Sequence, residues 1–110
     1  MSQFKFPVIN PLLHNELRLK IMVAIDSLDS ADFMYLRQIT DSTRGNLSIQ
    51  ITTLKDAGYL TVSKSGIGRT SHTTCRITPK GAEALRAYEQ GLRRLFSEGI
   101  PKDESRQEIG

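Results

Sequence analysis

The sequence predicts a mainly α-helical domain with a small β-hairpin, its elements running helix, helix, helix, strand, strand, helix. Three observations predict it. Apolar residues recur at the spacing of a helix in three segments before Gly58 and in one after Pro79. Between them the period drops to two, around residues 59–63 and 72–78. Gly58 closes the third helical segment, and Thr78-Pro79 opens the last with a capping side chain followed by a proline suited to a first helical position. A lone hairpin is only marginally stable in water, so this one must lean on the helices.

With 110 residues, 38% hydrophobic and 25% charged, the chain is expected to build one packed core. The longest apolar run, Ile21 to Ile25, is far short of the roughly 18 residues of a membrane helix. MSQFKFPVIN has no apolar signal segment, and a single cysteine makes no internal disulfide, so a cytoplasmic protein is expected. Residues 1–96 are expected to form the domain. Residues 97–110, with two basic side chains against four acidic ones and no periodicity, are expected to be an acidic, disordered tail.

The elements follow in order. Phe4, Phe6, Val8 and Ile9 are too apolar for a free tail and are expected to pack on something. Asn10-Pro11 can open a helix, and Asn15-Glu16 offers a second start one turn later. Leu17, Ile21, Ala24, Ile25 and Leu28 form its buried stripe, and Asp29-Ser30 ends it. Asp32 caps a short second helix with Phe33, Leu36 and Ile39 on its core face. Thr40-Asp41-Ser42 reads as a turn. Thr43 caps a third helix over 44–57, in which Leu47, Ile51 and Leu54 face inward. In the hairpin, Leu60 and Val62 share one face and Tyr59, Thr61 and Ser63 the other. Residues 65–71 form its basic tip, and Thr73, Cys75 and Ile77 share a face of the returning strand. Leu85, Tyr88, Leu92 and Leu95 give the last helix its stripe.

Two short helices joined by a polar turn, the second followed by a hairpin, form a helix-turn-helix extended by a wing, an arrangement that sets the second helix into a DNA major groove. The outer face of the third helix carries short polar and basic side chains suited to that groove. Arg44 can grip guanine or phosphate, Asn46 and Gln50 can read adenine, and Thr43, Ser48 and Thr53 can reach phosphates. Gly45 lets the backbone approach a phosphate near a helix N-terminus. Ile49 either touches a thymine methyl or turns inward beside Leu54. Arg69, flanked by Gly66 and Gly68, and Lys64 are the wing residues for the backbone or minor groove. Charge agrees: residues 42–80 hold six basic side chains and one carboxylate.

The segment Thr43-Arg44-Gly45-Asn46-Leu47-Ser48, followed by Leu54-Lys55-Asp56-Ala57-Gly58-Tyr59-Leu60, resembles the winged helix-turn-helix transcription regulators of the MarR/ArsR type, in particular their small stand-alone subgroup. Ile77-Thr78-Pro79-Lys80-Gly81 and Asn10-Pro11-Leu12-Leu13-His14 extend the likeness over roughly residues 8–96. The turn is more polar than the apolar-glycine-apolar turn common in that family, and Arg44 stands where relatives often carry an acidic residue. The resemblance implies a sequence-specific regulator of double-stranded, palindromic DNA, with recognition helices in successive major grooves about 34 Å apart. It also implies a homodimer. Phe4, Phe6, Tyr88, Leu92, Leu95 and Phe96 are the candidates for that interface. Repression by blocking a promoter is the default expectation, and a small-molecule effector between the first helix and the dimer helices remains open.

Other chemistries find little support. No Ser/His/Asp set, paired carboxylates or phosphate loop points to an enzyme, and no cofactor is expected. One Cys and two distant His make no convincing metal site. Cys75 is expected to be half-buried and inert rather than a redox sensor. The competing readings are a winged helix serving only protein–protein contacts, and a nucleic-acid chaperone without sequence preference.

Overall fold

The computed structural model describes residues 3–102. Its elements are α1 (Glu16–Leu28), β1 (Ser30–Asp32), α2 (Phe33–Thr40), α3 (Arg44–Asp56), β2 (Leu60–Ser65), a single 3-10 turn (Gly68–Thr70), β3 (His72–Ile77) and α4 (Pro79–Glu98). The expected class holds, but the β unit is one strand larger than a hairpin. It is an antiparallel sheet in the order β1-β3-β2. Ser30, expected to end the first helix, instead begins β1, and Ala31 pairs with Cys75. Asp29, at φ 68, turns the chain from α1 into that strand.

The helix starts are local chemistry. The Asn15 side chain accepts from the Arg18 N–H at 2.9 Å, which makes it the cap of α1. Asn10 does not cap this helix: its side chain accepts from Leu12 N–H and its carbonyl from His14 N–H, closing a separate turn over 10–14. Asp32, Thr43 and Thr78 cap α2, α3 and α4 as expected. Asp41 ends α2 in the left-handed region (φ 52, ψ 43). Glycine is the usual residue there, and Asp is among the few others that tolerate it. The polar turn therefore leaves α2 through an aspartate in a conformation that glycine usually supplies.

The core lies where α1, α2 and α3 converge on the sheet. Ile21, Met22 and Ile25 of α1 meet Leu36 of α2 and Leu47, Ile51 and Leu54 of α3, all buried. The stripes are narrower than the spacing predicts: Leu28 and Ile39 are about half exposed. Tyr59, assigned to the outer face of the hairpin, is buried, and its hydroxyl accepts from Asn10 Nδ2 at 2.9 Å. Cys75 is fully buried rather than half-buried, because the central strand is flanked on both sides, with Ala31 and Val62 as its pairing partners.

The junction of β2, β3 and α4 is tied by one residue. Thr78 N–H donates to Tyr59 O at 3.0 Å, its hydroxyl donates to Gly58 O at 2.6 Å, and the same oxygen accepts from Gly81 N–H at 2.9 Å. Gly81 packs directly against the Tyr59 backbone, where a Cβ would collide with the carbonyl oxygen. The last helix runs two residues beyond the expected Phe96. Of the expected tail, residues 103–110 lie outside the described residues.

Candidate nucleic-acid interface

Thr43 positions the start of α3 by accepting from Asn46 N–H at 3.1 Å. With Leu47, Ile51 and Leu54 buried, the helix turns three strips outward. The strip toward the wing carries Arg44, Ser48, Thr52 and Lys55. The crest carries Gly45 and Ile49, and Ile49 is 63% exposed, which places it outward and not beside the core. The strip toward α1 carries Asn46 and Gln50.

A groove of about 370 Å³ separates α3 from the sheet. Arg44, Ser48, Thr52 and Lys55 line one wall, and Val62, Lys64 and Thr73 the other, with Phe33 and Ile51 also lining it. Three cations from two elements therefore face one trough. None of Arg44, Lys55, Lys64 and Arg69 takes part in an ion pair among the described residues. Arg44 Nη2 makes only a weak contact with Met34 Sδ at 3.7 Å. An unneutralised cationic trough beside a helix N-terminus attracts a polyanion.

The sequence candidates thus divide. Arg44, Ser48 and Lys64 come together in the groove. Arg69 stands apart in the exposed 3-10 turn at the wing tip, next to Ile67, which is 90% exposed. Thr43 and Thr53 are partly committed to the protein, since Thr43 caps the helix and the Thr53 hydroxyl donates to Ile49 O at 3.0 Å. Gln50 is not free either. It accepts from Arg18 Nη1 at 2.6 Å and donates to Asn46 Oδ1 at 3.1 Å. Sequence reasoning missed Lys55 as a groove residue, although its spacing of three helical turns from Arg44 puts both on one flank. It also missed Arg18, for which no local signal exists.

The helix-turn-helix, the sheet behind it and the groove between them agree with a match along the chain. A family model described as a winged helix DNA-binding domain matches residues 17–96. This chain belongs to that family. The winged-helix domain is also 30% identical over 77 residues to an uncharacterized protein of Methanocaldococcus jannaschii, covering 70% of this chain and 84% of that one. Its fold superposes on a transcriptional regulator homologue from Pyrococcus horikoshii OT3 with a TM-score of 0.73 and 28% identity, over 78% of this chain and 85% of that one. It shares its fold with Bordetella bronchiseptica BpsR, whose DNA binding is regulated by 6-hydroxynicotinic acid (TM-score 0.67, 15% identity, 88% and 75% covered). The same holds for a MarR variant from E. coli complexed with operator DNA (TM-score 0.63, 16% identity, 86% and 70% covered). This chain is thus a winged-helix DNA-binding protein by family, and it has the fold of MarR.

The residues expected at a dimer seam are spread over two regions. Phe4 and Phe6 meet edge to face, 5.1 Å between centroids. Tyr88 is buried within its own chain, its hydroxyl 2.9 Å from His14 Nδ1. Leu92 and Leu95 are half-buried, and Phe96 is 84% exposed. Leu92, Phe96 and Leu85 line an apolar groove of about 930 Å³ between α4 and the Leu19–Val23 face of α1. Burial pushes the Cys75 thiol up to about 11, with nearby Asp32 adding to the effect, so the thiol form dominates at neutral pH. No helix among the described residues is long and apolar enough to cross a membrane, and no group of His, Cys, Asp or Glu there could hold a metal ion.

Proposed function

We propose that the protein is a sequence-specific, homodimeric repressor of double-stranded DNA. In this reading α3 lies in the major groove, a phosphate strand runs in the trough between α3 and the sheet, and Arg69 at the wing tip meets the flanking backbone or minor groove. The trough lined by Arg44, Lys55 and Lys64 is the observation that carries the DNA-binding part of this reading, because three uncompensated cations facing one groove attract a polyanion. A module used only for protein contacts has no need of such a trough beside an exposed polar helix face. The apolar groove between α1 and α4 supports a second copy as its occupant, with Phe96 and Leu92 on its wall at the seam. Two copies arranged about a two-fold axis would read a palindrome. By analogy with BpsR, a small-molecule effector is assigned to the part of that groove the second copy leaves open.

The test is selection of bound fragments from random duplex DNA at about 0.15 M salt, close to physiological ionic strength. An inverted repeat with half-sites about one helical turn apart is expected. Retention of all duplexes alike would favour a chaperone without sequence preference, and retention of none would favour a protein-contact module.

A further inference from the structure

The face of α3 toward α1 holds two amides whose orientation is set from outside the helix. Arg18 Nη1 donates to Gln50 Oε1 at 2.6 Å, and Gln50 Nε2 donates to Asn46 Oδ1 at 3.1 Å. Arg18 is itself held. Its Nε donates to Leu12 O at 2.6 Å, and its backbone N–H is bound by the Asn15 cap. A guanidinium has donors and no acceptor. It therefore obliges Gln50 to turn its carbonyl oxygen toward α1 and its amino group toward Asn46. Asn46 must then offer its own oxygen to that group. Each amide oxygen then already accepts one bond, and the donors left without a partner among the described residues are Asn46 Nδ2, on an exposed side chain, and the second N–H of Gln50 Nε2.

We propose that Arg18 is a specificity-setting positioning residue: it locks the polarity of the Gln50–Asn46 pair, so that α3 presents N–H donors to the base it meets. The inference rests on the DNA-binding reading above and sharpens it. A free Asn or Gln pairs with adenine by using donor and acceptor together. A donor edge instead fits the N7 and O6 acceptors of guanine or the O4 of thymine. With one lone pair of Asn46 Oδ1 taken by Gln50, guanine or thymine is favoured over adenine at the base facing Asn46. Arg18 touches no base in this scheme and acts through Gln50.

The experiment compares the wild-type chain, Arg18→Met and Gln50→Glu in the same selection from random duplex DNA. In Gln50→Glu the carboxylate accepts from both Arg18 and Asn46, which turns Asn46 over and exposes its oxygen. The expected result is one half-site position that prefers guanine or thymine in the wild type and changes to cytosine or adenine, whose amino groups donate, in Gln50→Glu. Arg18→Met should flatten that position by about tenfold in discrimination and leave the others in place. The side-chain amide resonances of Gln50 and Asn46 in the free protein provide a readout independent of DNA. They should move in Arg18→Met while the resonances of the sheet stay put. Unmoved amide resonances, or an even loss of preference at every position, would overturn the proposal. Should Arg18→Met unfold, Gln50→Glu retains Arg18, and an unchanged base preference there would overturn it equally. A wild-type selection without any motif would remove the sequence-reading function, and the base preference with it. The amide resonances would still show whether the lock exists.

Discussion

Replacing Arg44, Lys55 and Lys64 together with glutamine keeps three polar side chains and removes the charge of the trough. Each cation that neutralises a phosphate contributes about 0.9 to the slope of log affinity against log salt on B-form DNA. If all three engage phosphates, the triple variant should bind with a slope shallower by about 2.7. Between about 50 and 200 mM salt, that share corresponds to roughly 40-fold of the wild-type protein's loss of affinity. Each single replacement should remove about 0.9. Fluorescence anisotropy with a labelled duplex of arbitrary sequence measures the slope, because this component does not depend on base sequence. Lys20→Gln is the control: Lys20 lies on α1, already paired with Glu16 at 3.3 Å. An unchanged slope in the triple variant, or an equal change in the control, would refute the assignment of the trough to phosphate.

Gly81→Ala should cost on the order of 1–3 kcal/mol, since the added carbon meets the Tyr59 backbone and the chain must shift to admit it; urea unfolding measures this. The Cys75 thiol should resist alkylation at pH 8 in the folded protein and react promptly in denaturant. Its raised pKa also has a consequence for stability. Between about pH 9 and 11 the folded chain keeps a proton that the unfolded chain has lost, so this contribution is intact below that window and falls as pH rises through it. A Cys75→Ala variant, measured by unfolding at several pH values, should lack that component. Phe96→Lys should shift the protein from dimer to monomer in light scattering at micromolar concentration, with little change in melting, because the ring is exposed in the single chain; an unchanged mass would remove Phe96 from the seam.

The sequence by itself determined the helices, their caps and the class of the domain. Those features are written in short stretches: Thr43 and Thr78 reach only three residues ahead, and the Leu47, Ile51, Leu54 stripe lies within one helix. Such signals survive without knowledge of the rest of the chain. The tertiary structure decided the rest. β1 is three residues long, too short to display a period, and exists only because β3 supplies its hydrogen bonds. Tyr59 has the spacing of an outward residue, but Asn10 and the Gly81 backbone enclose it. The trough joins Arg44 and Lys55 to Lys64, and charge counting along the chain could not show that these three converge while Arg69 stands apart. Gln50 looked like a free base reader until Arg18, far away in sequence, was seen to turn it. Residue type tells what a side chain can donate or accept. Which of its groups remain for a ligand depends on partners brought in from distant segments, and only folding selects those partners.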